Sequence, residues 1–287
     1  MIPVLVCTLA IFLLSAMDAG MKSLVIAAGV YNIVLWRSVL ASIASAAGWA
    51  TKSRARPSFK ALQLHALRAV IVGIVLITFF WGLARLPMAE AIGLSFIAPL
   101  FALFLAAVLL GERIRLQAVW AAVLGFAGVA VIVAGQFGGA SYSEETLLGT
   151  LSILVSTIFY GFNLILTRKQ AQIAKPIEIM FFQNLALLII MGAAAPWLGM
   201  WLPQQYWLPL VGVTVLSLTG QYLMSWSYAR AEAQYLISTE YTAFIWAIGL
   251  GWWFFGESVS WETLAGASLI IVSCWIAARA SMRPVEG

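Results

Sequence analysis

The sequence predicts an all-α polytopic membrane protein, with ten transmembrane helices arranged as two inverted five-helix repeats. Three observations carry this. Of 287 residues, 63% belong to the set AVILMFWYC and only 9% are charged, with a mean hydropathy of +0.99. Soluble domains run at about 45–50% apolar and about 25% charged. Second, the runs 91–111, 116–143, 146–167 and 179–229 contain no charged residue, and the last is long enough for two spans. A spanning helix needs about 20 mostly apolar residues. Third, the chain repeats itself. Trp81-Gly82-Leu83-Ala84-Arg85 is followed by Gly111-Glu112, and Trp226-Ser227-Tyr228-Ala229-Arg230 by Gly256-Glu257, every matched pair being 145 residues apart.

The expected helices are 3–27, 30–50, 64–85, 88–110, 115–135, 147–168, 176–198, 206–229, 233–255 and 260–279. The first lacks the basic start of a signal peptide and has a counterpart in the repeat, so it counts as a helix of the fold. Pro99 removes one helical hydrogen bond and favours a bend in the fourth helix. Ala121 and Gly125, and Ala130 and Ala134, are small-residue pairs that let the fifth helix approach the tenth or another protomer closely. The ten helices divide as 1–140 and 141–287 and leave no room for a soluble domain. Transmembrane β-strands would read as alternating segments of about 10 residues, which this sequence does not show.

With ten spans both termini share one face. That face collects Lys52, Arg54, Arg56, Lys60, Arg113, Arg115, Arg168, Lys169, Lys175, Arg230, Arg279 and Arg283, whereas the other holds at most Lys22 and Arg85. Positive charge marks the cytoplasmic side. Both termini are therefore expected in the cytoplasm, in a multi-pass protein of the inner membrane. The net charge of +5 sits mainly in loops and reports orientation rather than nucleic-acid binding.

Because each half has an odd number of helices, the second enters the membrane upside down. Inverted repeats are a recurrent design of secondary transporters. The halves resemble the drug/metabolite transporter superfamily, specifically its EamA-type ten-helix proteins. The resemblance rests on Arg37 in helix 2, the aromatic end of helix 3, Ala-Glu-Ala-Ile-Gly-Leu-Ser-Phe-Ile-Ala-Pro-Leu at 89–100, and Leu110-Gly111-Glu112-Arg113. Phe244 stands where a helix-9 proline is often found, so a symmetric pair of proline hinges is not expected. The resemblance extends to the amino-acid-exporting branch, including its aromatic amino-acid exporter, and implies a solute of that class.

Ionisable groups in hydrocarbon cost about 2.5–3.5 kcal/mol each on insertion scales and normally face a cavity or a partner. Glu240 lies near mid-membrane within Ser238-Thr239-Glu240-Tyr241-Thr242; it serves the pathway or is half of a structural ion pair. Asp18 and Lys22, four apart on one face, neutralise each other or meet the solute. Asn163 aligns with Asp18 in the repeat. Arg37 snorkels outward, or pairs with Asp18 or Glu240. Phe79, Phe80, Trp81, Tyr222 and Trp226, with Gln221 beside them, form an expected aromatic wall for an amphipathic solute. Gln183 and Asn184 read as interhelical glue, and Glu112 and Glu257 as caps of the helices that follow them. Trp49, Trp197, Trp201, Trp207 and Trp261 fit interfacial belts.

The leading function is a secondary carrier exporting amino acids or similar small metabolites, with Arg37 or Lys22 for the carboxylate and Glu240 or Asp18 for the ammonium. The alternatives are a drug or nucleotide-sugar carrier of the same superfamily or, lower still, an intramembrane enzyme. No lysine follows a glycine as in a P-loop, and neither HExxH nor GxSxG occurs. A single histidine, His65, makes no metal cluster, and Cys7 and Cys274 sit in apolar runs. No cofactor, no metal and no nucleic acid is expected. The partners are the bilayer and a small solute, with monomer and homodimer both open.

Overall fold

The computed structural model describes residues 2–52, 57–110, 116–138, 143–171, 173–174, 176–228, 230 and 239–282. Within them run α1 (Ile2–Ala28), α2 (Val30–Lys52), α3 (Phe59–Leu83), α4 (Met88–Ser95), α5 (Ala98–Leu110) and α6 (Leu116–Gly138). The second half holds α7 (Glu144–Ala171), α8 (Pro176–Leu198), α9 (Trp207–Tyr228), α10 (Thr242–Phe255) and α11 (Trp261–Met282). Seven of the described helices are long and apolar enough to cross a membrane, and shorter apolar stretches lie at Met88–Ala102, Thr242–Phe255 and Trp261–Ile276. Every described element of regular structure is helical. In lipid this is what the backbone demands, since a helix satisfies its own N–H and C=O groups.

Local sequence sets the helix ends. Ser58, Ser143 and Ser260 accept hydrogen bonds from the backbone N–H groups of Ala61, Thr146 and Thr263, each at 3.1 Å, and so cap α3, α7 and α11. A single residue, Gly29 at φ 80°, joins α1 to α2. A side chain would be strained in that left-handed conformation.

Partner choice follows the repeat. α6 packs on α11, α2 on α8, and α4 on α10, while α1 with α9 mirrors α7 with α3. α5 on α7 mirrors α10 on α1, and α3 on α8 mirrors α9 on α2. Exchanging the halves maps these principal pairs onto themselves, as a two-fold relation requires.

The fourth expected span is interrupted. α4 stops at Ser95, Phe96 and Ile97 form a turn, and Pro99 lies in the first turn of α5. Leu100 N–H goes to the Ile97 carbonyl, which frees the Phe96 carbonyl, and the Cys274 thiol of α11 donates to it at 3.1 Å. The ninth expected span is interrupted 145 residues later, at Tyr241, between helical Thr239–Glu240 and α10. Phe244 stands in the proline's place, so the two breaks do not form a pair of proline hinges, and the second arises without one. There the Thr242 hydroxyl donates to the Thr239 carbonyl at 2.6 Å, a local bond that competes with the helical ladder.

α6 and α11 approach each other closely. A methyl group on Gly128 would stand 2.6 Å from the Gly266 carbonyl oxygen, and one on Gly266 2.5 Å from the Gly128 oxygen. Ala121 is fully buried, and Gly125 lies under Leu100 and Ser273. Gly266→Ala forces the backbones apart, an overpacking that costs about 1–3 kcal/mol. It is expected to lower the thermal unfolding temperature in detergent, whereas Gly212→Ala, where a methyl meets nothing within 4 Å, leaves it unchanged.

Candidate functional site

The charged residues inside the helices form three groups along the membrane normal. At the end far from the termini, Lys22 of α1 is buried and ion-paired with Glu257. It also donates to the Leu86 carbonyl at 2.5 Å and lies 5.0 Å from the Phe255 ring centroid. The other Glu257 oxygen accepts the Met88 N–H at 2.7 Å, occupying a free donor at the start of α4. Gly256, at φ 64°, ends α10 in a left-handed turn, with Glu257 N–H bonded back to the Gly251 carbonyl. Two expectations change here. The partner of Lys22 is Glu257, 235 residues away, not Asp18 one turn below. And Glu257 caps α4 across the fold instead of the helix that follows it; Glu112 lies outside the described residues.

The same end carries further polar closures. Gln136 donates from Nε2 to Glu90 at 3.0 Å and accepts at Oε1 from the Thr150 hydroxyl at 3.0 Å, linking α6, α4 and α7. Asn32 accepts the Met200 N–H at 2.7 Å, and Trp36 donates to the Met200 carbonyl at 2.9 Å. Trp36 packs edge-on against Trp201 and Trp207, at 4.9 and 5.1 Å.

Deeper, Asp18 and Arg37 lie within electrostatic reach of each other, and an Arg37 Nη1 also meets Met17 Sδ at 3.7 Å. Counting about 1.5 Å per residue, Asp18 is ~15 Å below the far end of α1. Tyr160 of α7 lies within reach of Asp18, Arg68 and Glu240 at once. It is 43% exposed. The lipid-side stripe of α7 runs through Leu148, Leu151, Val155 and Ile158. Tyr160 stands on the opposite side, between buried Ile153, Ser156 and Asn163. Exposed surface on the inward side of a helix opens onto an internal space, not onto lipid.

Nearest the termini, Arg68 of α3 donates from Nε to Asn163 Oδ1 at 2.8 Å and from Nη1 to Gln170 Oε1 at 2.5 Å. Gln170 meets His65 Nδ1, and His65 Nε2 stands 3.6 Å from Glu178. His65, Asn163, Gln170 and Glu178 are all buried. Sequence reasoning singled out Asn163 alone of these. Arg68 and Tyr160 were missed: an arginine in a helix reads as a snorkelling charge, and a tyrosine as a membrane aromatic.

The aromatic wall does not form as expected. α3 packs on α7 and α8 and α9 on α1 and α2, so the two aromatic sets stand apart. Inversion is the reason: repeat-equivalent residues near helix ends are carried to opposite membrane faces. Trp81 stacks under the Arg85 guanidinium at 3.4 Å at one end, Trp226 under Arg230 at 4.3 Å at the other. Phe80 is buried in the main core, and Phe79 packs edge-on against it at 5.2 Å. Tyr222 continues the exposed stripe of Leu208, Val211 and Val215 and faces the bilayer. Gln221 is exposed and donates to Ser217 at 3.0 Å. Tyr241, half-buried at the helix break, meets Phe96 edge-on at 5.5 Å. Asn184 donates to its own helix, at the Met180 carbonyl, 2.8 Å away. Gln183 is buried with neither amide atom hydrogen-bonded among the described residues.

With this geometry the comparisons with known proteins agree. The model of the EamA-like transporter family matches residues 1–134 and again 147–279. The chain belongs to the EamA-like transporter family. It is a membrane transporter of the drug/metabolite transporter superfamily. It is 27% identical over 278 residues to the pseudopaline exporter CntI of Pseudomonas aeruginosa, covering 94% of both chains. To the riboflavin transporter of Rhizobium johnstonii it is 29% identical over 221 residues, covering 76% of this chain and 71% of that one. A solved crystal structure with 20% sequence identity shares this chain's fold at a TM-score of 0.66, over 99% of this chain and 98% of the other.

The two ion pairs at the far end should differ sharply in their worth. Removing one partner of a buried pair costs about 3–5 kcal/mol, and an exposed pair is worth about 0–1 kcal/mol. Lys22→Gln, which strands Glu257, is expected to lower the melting temperature of purified protein clearly. Arg85→Gln, which releases the exposed Glu145 from a 2.6 Å contact, should shift it little.

Proposed function

We propose that the protein is a secondary carrier that exports amino acids or similarly zwitterionic small metabolites by alternating access. The observation that carries this is the internal space at Tyr160, with Asp18 and Glu240 within electrostatic reach and Arg37 beside Asp18. Two carboxylates and a guanidinium beside one accessible surface suit a solute that bears both signs of charge. Each charge of a zwitterion that loses water on entering then meets a fixed opposite charge. In this reading Asp18 and Glu240 receive the ammonium, and Arg37 exchanges Asp18 for the solute carboxylate. Asn163 and Tyr241 line the route, and Pro99 marks one of two helix interruptions about which the halves move.

The polar and aromatic closures at the far end support a conformation sealed on that side. Alternating access requires the Lys22–Glu257 contact to part in the opposite state. This gives Lys22 a gating role in place of the solute contact expected from sequence. With both termini in the cytoplasm, the sealed end faces outward, and the inner membrane of a bacterium is the setting.

Purified protein in liposomes tests the reading by counterflow of labelled amino acids, with riboflavin and pseudopaline in the same panel because relatives carry those names. Glu240→Gln keeps the shape and removes the charge. It is expected to melt like wild type and to lose at least about tenfold in flux, one charge-assisted hydrogen bond being worth about 1.5–3 kcal/mol. Tyr222→Ala, on the lipid face, should transport at the wild-type rate. Full flux in Glu240→Gln removes that residue from the mechanism, and exchange of riboflavin alone overturns the amino-acid reading.

A further inference from the structure

Arg68 differs from the other membrane-embedded bases. Lys22 has Glu257, Arg85 has Glu145, and Arg37 has Asp18 within reach. Among the described residues no carboxylate lies within ion-pair distance of Arg68. Its hydrogen-bond partners are two neutral amide oxygens, those of Asn163 and Gln170. The nearby Glu178 stands against His65 instead, at 3.6 Å. A guanidinium carries five N–H donors, and these two bonds leave three of them and the whole charge unanswered. Arg68 is half-buried. An ionisable group within a membrane helix ordinarily faces a partner or a cavity, so a guanidinium with no carboxylate beside it has room for a partner that comes and goes.

The surroundings fit a transient anion. Asn163 and Gln170 grip the guanidinium from α7, and the buried His65 holds Gln170 in turn, so the plane of the fork is set before a ligand arrives. Tyr160, also on α7, lies within electrostatic reach of the guanidinium, and its exposed face opens onto the internal space. Asp18 and Glu240 lie within electrostatic reach of Tyr160 in turn. A planar fork presented to such a space matches a carboxylate in two-point contact.

We propose that Arg68 is a solute-contacting residue that takes the carboxylate, with Asn163 and Gln170 as its positioning residues. This rests on the carrier reading above and deepens it, since it moves the carboxylate subsite from Arg37 to Arg68. Arg37 then serves as the standing partner of Asp18. The solute carries its carboxylate toward the terminal end of the helices and its ammonium toward Glu240 and Asp18, on either side of Tyr160.

Counterflow of labelled L-phenylalanine in liposomes tests this, with unlabelled L-phenylalanine and L-phenylalaninamide, which lacks the carboxylate, as competitors. Wild type should prefer the acid by at least about tenfold, because a site built for a hydrogen-bonding group rejects the analogue that lacks it. Arg68→Gln should bring the acid-to-amide ratio to about one. Arg68→Lys, which keeps the charge and loses the fork, should fall between and carries the test if the Gln variant does not fold. A purely structural arginine would lower stability and total flux without moving the ratio. Amino-acid flux with the wild-type ratio in both variants overturns the role of Arg68 and keeps the carrier reading. Flux confined to another carboxylate solute and lost in Arg68→Gln upholds Arg68 and overturns the amino-acid reading. Wild-type flux of carboxylate-free solutes alone overturns both.

Discussion

A charge among lipid tails is costly, and helix packing alone gives little in return, because lipid is as apolar as leucine. That constraint organises this chain. Sixteen bases and eleven acids are all it carries, and each one placed inside a helix has to be answered by a partner or by water. Where an answer comes from far away in sequence it ties the fold together: Lys22 to Glu257 joins the first helix to the turn before the last. The same carboxylate answers the free Met88 N–H of an interrupted helix, so one side chain settles two debts of burial. Where the answer is incomplete, as at Arg68, the molecule has a place for something that is not part of it.

The halves share a plan and differ in chemistry. Both broken spans interrupt at the same point of the repeat, Phe96 and Tyr241, one ahead of a proline and one without. The inversion turns equivalent residues into opposite ones: Trp81 with Arg85 and Trp226 with Arg230 make the same stack at the two ends of the molecule. Deeper in the helices the equivalents carry different groups, Asp18 in one half and Asn163 in the other, and inversion sets Asn163 closer to the terminal end. The asymmetry matters, since Asn163 can hold an arginine without neutralising it.

Much of the fold was legible in the sequence. Runs free of charge gave most of the described helices to within a few residues, the breaks in the fourth and ninth spans apart, and a constant offset of 145 gave the two-fold pairing, because both are properties of one-dimensional pattern. Residues 233–238 of the ninth expected helix lie outside the described residues. The interior was less legible. Spacing four along a helix pairs Asp18 with Lys22, but the Glu257 carboxylate, half-buried and carried in by the turn after α10, takes the lysine instead. Phe79, Phe80, Trp81, Tyr222 and Trp226 looked like one wall because the repeat aligns them, although inversion separates what alignment joins. Tyr160 and Arg68 carry no motif. They are identified by which side of the helix they occupy and by what fails to meet them, and both are facts of packing.

The central claim is that the space at Tyr160 is a water-accessible route bordered by Asp18, Arg68 and Glu240. Thiol labelling tests it directly, in a background with Cys7→Ala and Cys274→Ala, by placing one cysteine at position 160 and, separately, one at 155 on the lipid stripe. A thiol reacts as the thiolate and therefore needs water. Tyr160→Cys should react with a hydrophilic, charged reagent and be protected by the transported solute, while Val155→Cys stays unlabelled. Equal silence at both positions, or labelling of 155 alone, would contradict the account.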